Sequence, residues 1–337
     1  MGNFIAPEIL SYAQDIIKYA LGARTKICAF KWSDGGGLYN KVYCLDTTEG
    51  RFILKIECDR IFPSTRKGQI ENEVEGSRLL KQAGILCPLV TAYSITGKDV
   101  GVRYILTECL SDDWPVIARM GEMEEVTKKE VQHQATKMLN HMSAIQNTHF
   151  GSLSSSGPLG WHDTWEECYR AWFNLLISDC NSIGLFTEEE LAIVNAAAAT
   201  PLTYSDNPLP TFSTEDMGWH NMIWGHAGEH SDALHVIDFG NARYTLSYIN
   251  NYLIKNIDVM RQPPFGIPEL QNLDKGYNLL ILYEFERMLW KEAERLTEDY
   301  AHVRDWMAIG IENTKKDQSR NHIIAFVDKC RKLLETC

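Results

Sequence analysis

The sequence has no apolar run long enough to cross a membrane. A membrane-spanning helix needs about 18 or more consecutive apolar residues, and no stretch of the 337-residue chain reaches that length. The first ten residues lack the basic start and leucine-rich centre of a secretory signal. Ala6 also stands where a myristoylation site prefers Ser or Thr. We therefore expect a cytoplasmic protein with no membrane partner.

Cysteine is present, but not in a pattern typical of disulfides or zinc. The nine cysteines are odd in number, are scattered along the chain, and form no C-x-x-C motif. Several lie in apolar, strand-like runs, where cysteine behaves as a small hydrophobic residue. This usage favours a reducing compartment and agrees with a cytoplasmic location.

Positive charge is in short supply. Lys and Arg number 33 against 45 Asp and Glu, which gives a formal net charge of −12, and no long block of like charges is present. This balance argues against unspecific binding to nucleic acid or to an anionic membrane. It favours a neutral or cationic small partner.

Two common nucleotide-binding motifs are also missing. The chain has no G-x-x-x-x-G-K-[ST] sequence, which excludes a P-loop as far as sequence allows. A glycine-rich stretch, DGGGLYN, could be half of a dinucleotide-binding fingerprint, but that motif should open a helix. Here the strand-like NKVYCLD follows, which disfavours a Rossmann-type domain.

The N-terminal third is rich in predicted strands. Pro7 opens an amphipathic helical pattern, and QIENEVEGSRLLKQAG predicts a second helix that ends at Gly84. Short β-rich runs separated by glycine turns predict five strands. These runs are KICAFKW, NKVYCLD, RFILKIE, LVTAYSI and VRYILTE. We expect a five-stranded antiparallel sheet with one inserted helix, filling residues 1–108.

The remainder of the chain has mostly helical patterns. Thr127 and Glu130 have the spacing of a capping box and predict the start of a helix there. One hairpin is predicted from the runs NMIWG and LHVIDF. The resulting plan is α+β and bilobal, with a β-rich N-lobe (1–108), a hinge (109–112) and a mostly helical C-lobe (113–337).

Three oxygen-bearing side chains surround the predicted hairpin. Asp216 precedes it, Asn221 opens its first strand, and Asp238 ends its second strand. Because a hairpin brings its two ends together, we expect Asn221 and Asp238 to reach one ion. Carboxylate and amide oxygens without His or Cys at ligand spacing suit Mg²⁺ rather than zinc. Asp216 can then face a substrate hydroxyl.

A lysine and a glutamate in the N-terminal part complete a set of phosphate-handling residues. Lys55 emerges from the apolar strand run RFILKIE, and Glu73 lies on the following helix. Glu71 and Glu75 are acidic neighbours that could take its place as the lysine's partner. A lysine aimed at phosphates, Mg²⁺ ligands and a carboxylate base are together what phosphoryl transfer requires.

These segments, in this order, resemble the aminoglycoside phosphotransferase and choline kinase-like family, which are small-molecule kinases with a protein-kinase-like fold. The resemblance covers nearly the whole chain. The segments that carry it are DGGGLYNKVY, RFILKI, NEVEGSRLL, YILTECL, HFGSL, TEDMGWHN and VIDFG. Together they correspond to a glycine loop, a lysine strand, a glutamate helix, a hinge, a segment before the substrate lobe, a catalytic loop and a metal-binding D-F-G.

The resemblance implies a role for each candidate residue. Asp216 would orient the acceptor hydroxyl and take its proton, and Asn221 and Asp238 would hold magnesium. Lys55 would contact the α- and β-phosphates of ATP or GTP while paired with Glu73. The glycine loop would contact the nucleotide through Gly35, Gly36 and Gly37, and Asn40 at the end of that segment would add a contact. The main chain of Glu108 and Leu110, at the hinge, would supply the rest.

The catalytic loop departs from the family pattern at two positions. The family usually has His where this chain has Thr214, and Gly where it has Glu215. That histidine commonly braces the loop, so its replacement affects loop rigidity, whereas the base and the metal ligands are retained. His220 is interpreted as a loop histidine near the phosphates rather than as the base.

The sequence predicts a phosphotransferase acting on a hydroxyl of a small molecule, such as an aminoglycoside-type antibiotic, an amino alcohol or a sugar-like metabolite. A catalytically degenerate, nucleotide-binding regulator is the alternative. A protein kinase is disfavoured because no A-P-E segment follows D-F-G. Asp258 is a further candidate aspartate after D-F-G. The acids of the C-terminal helices are interpreted as a solvated face, because basic residues alternate with them.

Overall fold

The structure is a computed structural model. It describes most of residues 7–255 and the last helix. The described residues are 7–32, 40–57, 63–110, 120, 123–200, 208–227, 230–255, 257, 282, 285–286, 288–289 and 316–336. The predicted glycine-loop residues Gly35, Gly36 and Gly37 lie outside them, as does Asp258.

The secondary structure alternates between short strands and longer helices. The helices are α1 (Pro7–Leu21), α2 (Gln69–Gln82), α3 (Glu125–Ser143), α4 (Trp165–Ser182), α5 (Glu188–Ala199), α6 (Tyr248–Lys255) and α7 (Lys316–Thr336). The strands are β1 (Ile27–Trp32), β2 (Asn40–Thr47), β3 (Gly50–Glu57), β4 (Val90–Ser94), β5 (Tyr104–Glu108), β6 (Phe150–Ser152), β7 (Trp161–His162), β8 (Thr211–Ser213), β9 (Met222–Ala227), β10 (His230–Val236) and β11 (Arg243–Thr245). Within the described residues, 3₁₀ turns span Ser64–Arg66 and Trp219–Asn221.

The five N-terminal strands form one antiparallel sheet in the order β1-β2-β3-β5-β4, and α2 is inserted between β3 and β4. The predicted sheet is therefore confirmed. Side chains alternate across a strand, so Leu54 and Ile56 pack with α1 on one face, where they belong to a buried apolar cluster. Lys55 lies between them in sequence and faces the opposite side.

Packing in the C-terminal part is dominated by α4. Its buried face carries Trp165, Tyr169, Trp172 and Phe173, which recur at helical spacing and belong to the largest apolar cluster. Among the described residues, no helix combines the length and the apolar character needed to cross a bilayer. No disulfide joins any of the cysteines that the structure describes.

Two features of the C-terminal part differ from expectation. A second, four-stranded sheet in the order β7-β6-β11-β8 accompanies the predicted hairpin, which is present as β9 and β10. The helix α3 begins at Glu125 with Glu124 as its N-cap, so the capping box predicted at Thr127 is wrong. Capping boxes are instead present at Thr164 and Thr187, at the starts of α4 and α5.

The predicted lobe boundaries stay predictions. The five-stranded sheet ends with β5 at Glu108, next to the proposed hinge at 109–112. Positions 111 and 112 of that hinge lie outside the described residues. The mixed α/β architecture with antiparallel sheets is nevertheless the predicted fold class, α+β and bilobal.

Candidate active site

The four-stranded sheet positions the loop that carries Asp216. Strand β8 is fully buried and leads directly into Thr214. The N–H of Asp216 donates to the carbonyl oxygen of Thr214 at 2.7 Å, which closes a three-residue turn around Glu215. The amide nitrogen of Asn221 donates to the carbonyl oxygen of Asp216 at 2.7 Å. Both ends of the Asp216 peptide are thereby fixed.

The hairpin brings Asn221 and Asp238 together. Met222 of β9 pairs with Val236 of β10, and the N–H of Ile237 donates to the carbonyl oxygen of Asn221 at 2.9 Å. Asn221 closes the 3₁₀ turn just before β9, and Asp238 lies two residues after β10, so both stand slightly outside the strands that the sequence predicted. Asp238 has a positive φ of 56°, which turns the chain sharply there.

Lys55 connects the N-terminal sheet to this hairpin. Its Nζ atom lies 2.8 Å from Oδ1 of Asp238 and also donates to Oε1 of Glu73. The Lys55 and Glu73 side chains are 15% and 5% exposed, whereas that of Asp238 is 48% exposed. The lysine side chain is therefore largely enclosed between two carboxylates, and one of these still faces solvent.

The charges of the three groups depend on one another. Burial alone would lower the pKa of the Lys55 ammonium, but the charges of Asp238 and Glu73 raise it overall. Burial raises the pKa of the Glu73 carboxyl to about 7, although Lys55 opposes that shift. The charge of Lys55 holds the pKa of the Asp238 carboxyl below its ordinary value. Asp238 is thus kept ionised, as a cation ligand must be.

Helix α2 is fixed to the segment after Asp238 by several contacts. The amide nitrogen of Asn72 donates to the carbonyl oxygen of Gly240 at 2.9 Å, and that of Gln69 donates to Oδ1 of Asn241 at 2.7 Å. At Gly76 the helix approaches Phe239 so closely that an added Cβ would lie 2.7 Å from its ring. These contacts hold Glu73 opposite Lys55.

Asn40, predicted to contact the nucleotide, lies at the start of β2. Its side chain is buried, and its amide nitrogen donates to Oε1 of Gln69 at 2.8 Å. Its amide oxygen is buried without a hydrogen-bond partner. Asn40 is thus joined to α2, and a direct contact with nucleotide stays a prediction.

Next to the proposed hinge, the Glu108 carboxylate accepts a hydrogen bond from the backbone of Leu89. The N–H of Leu89 donates to Oε1 of Glu108 at 2.7 Å, and the N–H of Glu108 donates to the carbonyl oxygen of Leu89 at 3.0 Å. Leu110 follows and is buried. A contact of the Glu108 and Leu110 main chain with a purine base stays a prediction.

His220, which the sequence analysis placed near the phosphates, lies within hydrogen-bond distance of Asp216. Its Nε2 atom is 3.3 Å from Oδ1 of Asp216, and its side chain is largely exposed. The hydrogen bond to Asp216 raises the pKa of the imidazole. The four-residue spacing of the two was a usable signal.

A largely buried cluster of four charged side chains was not predicted from the sequence, and one member, Glu286, is buried although the sequence analysis placed it on a solvated face, so that interpretation is wrong for this residue. Glu215 and Glu286 supply two carboxylates, and Arg66 and Arg243 supply two guanidinium groups. Arg243 pairs in register with Ser213 of β8, which places it beside Glu215. We refer to these four residues as the charge cluster. The only sequence signal was the unusual Glu215 next to Asp216.

The residues present fit a magnesium ion bound jointly with phosphates. Asp238 offers an ionised, half-exposed carboxylate, and Asn221 uses its amide nitrogen within the protein, so its amide oxygen is the atom left to face a cation. No group of three or more His, Cys, Asp or Glu side chains in the described part of the chain forms a closed metal site. Mg²⁺ typically takes one or two protein ligands and completes its shell with phosphate oxygens and water.

Comparisons with known proteins identify the fold. No family model matches the chain, and no curated protein matches its sequence. The gentamicin complex of APH(2'')-IIa superposes with a TM-score of 0.54 at 15% identity, covering 92% of this chain and 97% of that one. A candidate fructosamine-3-kinase from Haemophilus somnus 129PT gives a TM-score of 0.56 at 14% identity, with 96% of each chain covered.

A second aminoglycoside phosphotransferase, APH(4)-Ia, gives a TM-score of 0.53 at 15% identity and covers 95% of this chain and 98% of that one. All three similarities extend over nearly the full length of both chains. The chain therefore has the bilobal, protein-kinase-like fold of these small-molecule kinases, as the sequence resemblance implied.

Proposed function

We propose that this protein transfers the γ-phosphoryl group of ATP or GTP to a hydroxyl group of a small molecule. The observation that carries the proposal is the position of Lys55, which is bonded to both Glu73 and Asp238. A lysine held between a helix glutamate and a metal-binding aspartate is the arrangement that kinases use to hold nucleotide phosphates.

Each residue has a definite part in the transfer. Lys55 presents a permanent positive charge to the phosphates, because both carboxylates raise its pKa. Asp238 and Asn221 hold Mg²⁺, which when bound neutralises charge on the phosphate oxygens. The glycines at 35–37 and the main chain of Glu108 and Leu110 complete the nucleotide site in this proposal.

Asp216 acts on the acceptor. Its carboxylate receives a hydrogen bond from the acceptor hydroxyl and takes the proton as the hydroxyl oxygen forms a bond to the γ-phosphorus. The bond from the γ-phosphorus to the bridging oxygen breaks, and the nucleoside diphosphate leaves with that electron pair. Because two hydrogen bonds fix the Asp216 peptide, its side chain starts from a defined position.

Similar structures support the reaction class. APH(2'')-IIa has been seen with streptomycin and ATP together, at a TM-score of 0.53 and 16% identity to this chain. The other neighbours are named for aminoglycoside and fructosamine substrates. These acceptors are polar molecules that carry hydroxyl and amino groups. We propose an acceptor of this kind, an aminoglycoside-type antibiotic, an amino alcohol or a sugar-like metabolite, and the net charge of −12 favours a cationic one.

The test is an acceptor panel. The wild type is incubated with Mg·ATP or Mg·GTP and with aminoglycosides, macrolides, choline-like amino alcohols and ketosamine sugars, and phosphorylated product is detected by ³¹P NMR and mass spectrometry. We expect at least one acceptor to gain a phosphoryl group, and Asp216→Asn to slow that gain by about 10²–10⁴. Tight Mg·ATP binding without transfer to any acceptor would favour a nucleotide-binding regulator instead.

A further inference from the structure

Glu215 adopts a backbone conformation that a glutamate rarely takes. Its φ is 60°, in the left-handed region that favours glycine. The N–H of Asp216 bonds to the carbonyl oxygen of Thr214 across this residue at 2.7 Å. A non-glycine residue in such a tight turn is strained, and surrounding structure must hold it in place. The strain lies one residue before the carboxylate that we propose as the base.

The Glu215 side chain is held in place by two buried or partly buried arginines. It is 0% exposed, and its Oε2 atom lies 3.3 Å from Nη1 of Arg243 and 3.9 Å from Nη1 of Arg66. A buried carboxylate without a cation would be strongly unfavourable. The two arginines therefore fix where this side chain can lie.

Arg243 is itself immobilised from several directions. It pairs in register with Ser213, its Nη2 donates to the carbonyl oxygen of Thr65 at 2.7 Å, and its guanidinium carbon lies 4.2 Å above the ring of Trp172. Its Nη1 also lies 3.4 Å from Oε1 of Glu286. Strand pairing, a hydrogen bond, ring stacking and an ion pair leave the guanidinium little freedom.

Arg66 links the segment that precedes α2 to the charge cluster. It lies in the 3₁₀ turn just before that helix, and its Nη2 is 2.5 Å from Oε2 of Glu286. The neighbouring Ser64 is held by Asp179 of α4 through both its N–H and its hydroxyl, each at 2.7 Å. The turn that leads to Glu73 is therefore attached to the same group of charges as the loop that leads to Asp216.

The side chain of residue 214 gives no comparable support. Thr214 is buried, and its hydroxyl has no hydrogen-bond partner. Of the two residues that precede Asp216, only Glu215 is tied to distant elements through its side chain.

We propose that Glu215 is a positioning residue for Asp216, because its ion pairs with Arg243 and Arg66 hold the strained turn that directs the Asp216 carboxylate. The proposal rests on the function proposed above, in which Asp216 acts as the base. Glu215 itself is buried in the charge cluster and acts on the reaction only through the backbone of its neighbour.

The first experiment compares Glu215→Gln and Glu215→Gly with the wild type. Glutamine keeps the shape and removes the charge, whereas glycine adopts a positive φ without strain. If the side chain serves only the stability of the charge cluster, Glu215→Gly should lower the free energy of unfolding through the lost ion pairs and leave kcat unchanged. If it positions Asp216, we expect both variants to lose roughly 10- to 100-fold in kcat, the size of effect that small misplacements produce.

Two further measurements separate positioning from general stability. KM for Mg·nucleotide should stay within about threefold, because the lost interaction acts on the transfer step. Amide exchange at Asp216 N–H should accelerate by roughly tenfold or more, while exchange in α4 stays unchanged. Glu166→Gln is the matched control, since Glu166 forms an ion pair with Arg170 that is 39% exposed on both sides.

These measurements test the positioning role of Glu215 separately from the proposed phosphotransferase function. If kcat and the exchange of Asp216 N–H both stay within about twofold of the wild type in Glu215→Gly, the positioning role is wrong. If the wild type phosphorylates no acceptor, faster exchange in Glu215→Gln still supports the positioning role while the phosphotransferase proposal fails. Should Glu215→Gln not fold, Glu215→Asp retains the charge and is tested by the same exchange measurement, with an intermediate acceleration expected.

Discussion

Lys55 and Asp238, far apart in the sequence, are joined by a 2.8 Å ion pair that links the N-terminal sheet to the segment after the β9–β10 hairpin. Glu73 completes this pairing from α2. The lysine side chain is largely buried, whereas the aspartate carboxylate is half exposed. In the function proposed above, this half-exposed carboxylate is where a magnesium ion would bind.

The first prediction concerns Lys55→Ala. We expect the affinity for Mg·ATP to fall by roughly tenfold or more, since the charge that faces the phosphates is lost. Thermal stability should fall as well, because the buried Glu73 carboxyl loses its partner, so binding is measured well below the unfolding temperature of the variant. Calorimetric titration with Mg·ATP measures the change. Lys41→Ala is the control, because Lys41 pairs with Ile56 and so lies on the other face of the sheet. Equal affinities in all three proteins would contradict the phosphate role.

The second prediction concerns Asp238→Asn. The change keeps the side-chain shape but removes one charge from the proposed magnesium site. We expect turnover to fall by about 10² or more, which corresponds to roughly 2.7 kcal/mol at 1.36 kcal/mol per decade. Turnover is measured across a magnesium titration, with Asp46→Asn as a control at an ion pair remote from the hairpin. Normal turnover at saturating magnesium would contradict the metal assignment.

How much of the fold could be predicted depends on strand length. Runs such as RFILKIE give strands of eight residues with clear turns, and the five-stranded sheet followed from them. The four-stranded sheet could not be predicted, because β6, β7, β8 and β11 have two or three residues each and come from distant segments. Such short strands carry no periodicity of their own, and tertiary contacts alone bring them together.

Part of the candidate site could likewise be predicted from local sequence pattern, and part could not. Lys55, Asp216, Asn221 and Asp238 stood out because polar residues end apolar runs, and local hairpin geometry then brings two of them together. The charge cluster did not stand out. Arg66 and Glu286 are separated by most of the chain, and a pairing that depends on tertiary structure leaves no local pattern in the sequence.

A third prediction concerns the contact between α2 and Phe239. Alanine at position 76 should improve helix propensity by up to about 1 kcal/mol. Its Cβ, however, would lie 2.7 Å from the buried ring of Phe239. Overpacking of this kind costs about 1–3 kcal/mol, so we expect Gly76→Ala to lower the free energy of unfolding and the turnover together. Urea denaturation and a kinetic assay measure both quantities. Gly225→Ala is the control, since a Cβ there meets nothing within 4 Å.

A fourth prediction concerns pH and Glu286. Burial alone would raise the pKa of this carboxyl, but Arg66 and Arg243 lower it overall. A carboxyl whose pKa is lower in the folded state stabilises the fold above its unfolded-state pKa, and this stabilisation is lost as the pH falls through the folded-state pKa. The wild type should therefore lose stability in acid at least partly through Glu286.

Glu286→Gln tests this linkage. At pH 7 the variant should be less stable by on the order of 3 kcal/mol, because a buried pair loses one partner. The difference from the wild type should shrink as the pH is lowered into the acid range. Urea denaturation at a series of pH values measures it. Glu166→Gln, at a half-exposed pair, should cost about 0–1 kcal/mol at pH 7. A stability difference that does not depend on pH would contradict the assignment of an ionised Glu286.

The last prediction concerns Asp216 and separates an enzyme from a nucleotide-binding regulator. In the proposed reaction this carboxylate meets the acceptor hydroxyl only during transfer. Asp216→Asn should then lower kcat by about 10²–10⁴, the usual range for a positioned general base. Affinity for Mg·ATP should change far less, since a group that acts on the barrier leaves nucleotide binding intact. Single-turnover kinetics with the acceptor found in the panel, together with calorimetry, measure the two quantities. His220→Asn is the informative companion, because it removes the imidazole that bonds to Asp216 while keeping the carboxylate. A kcat that survives Asp216→Asn would show that another group takes the proton.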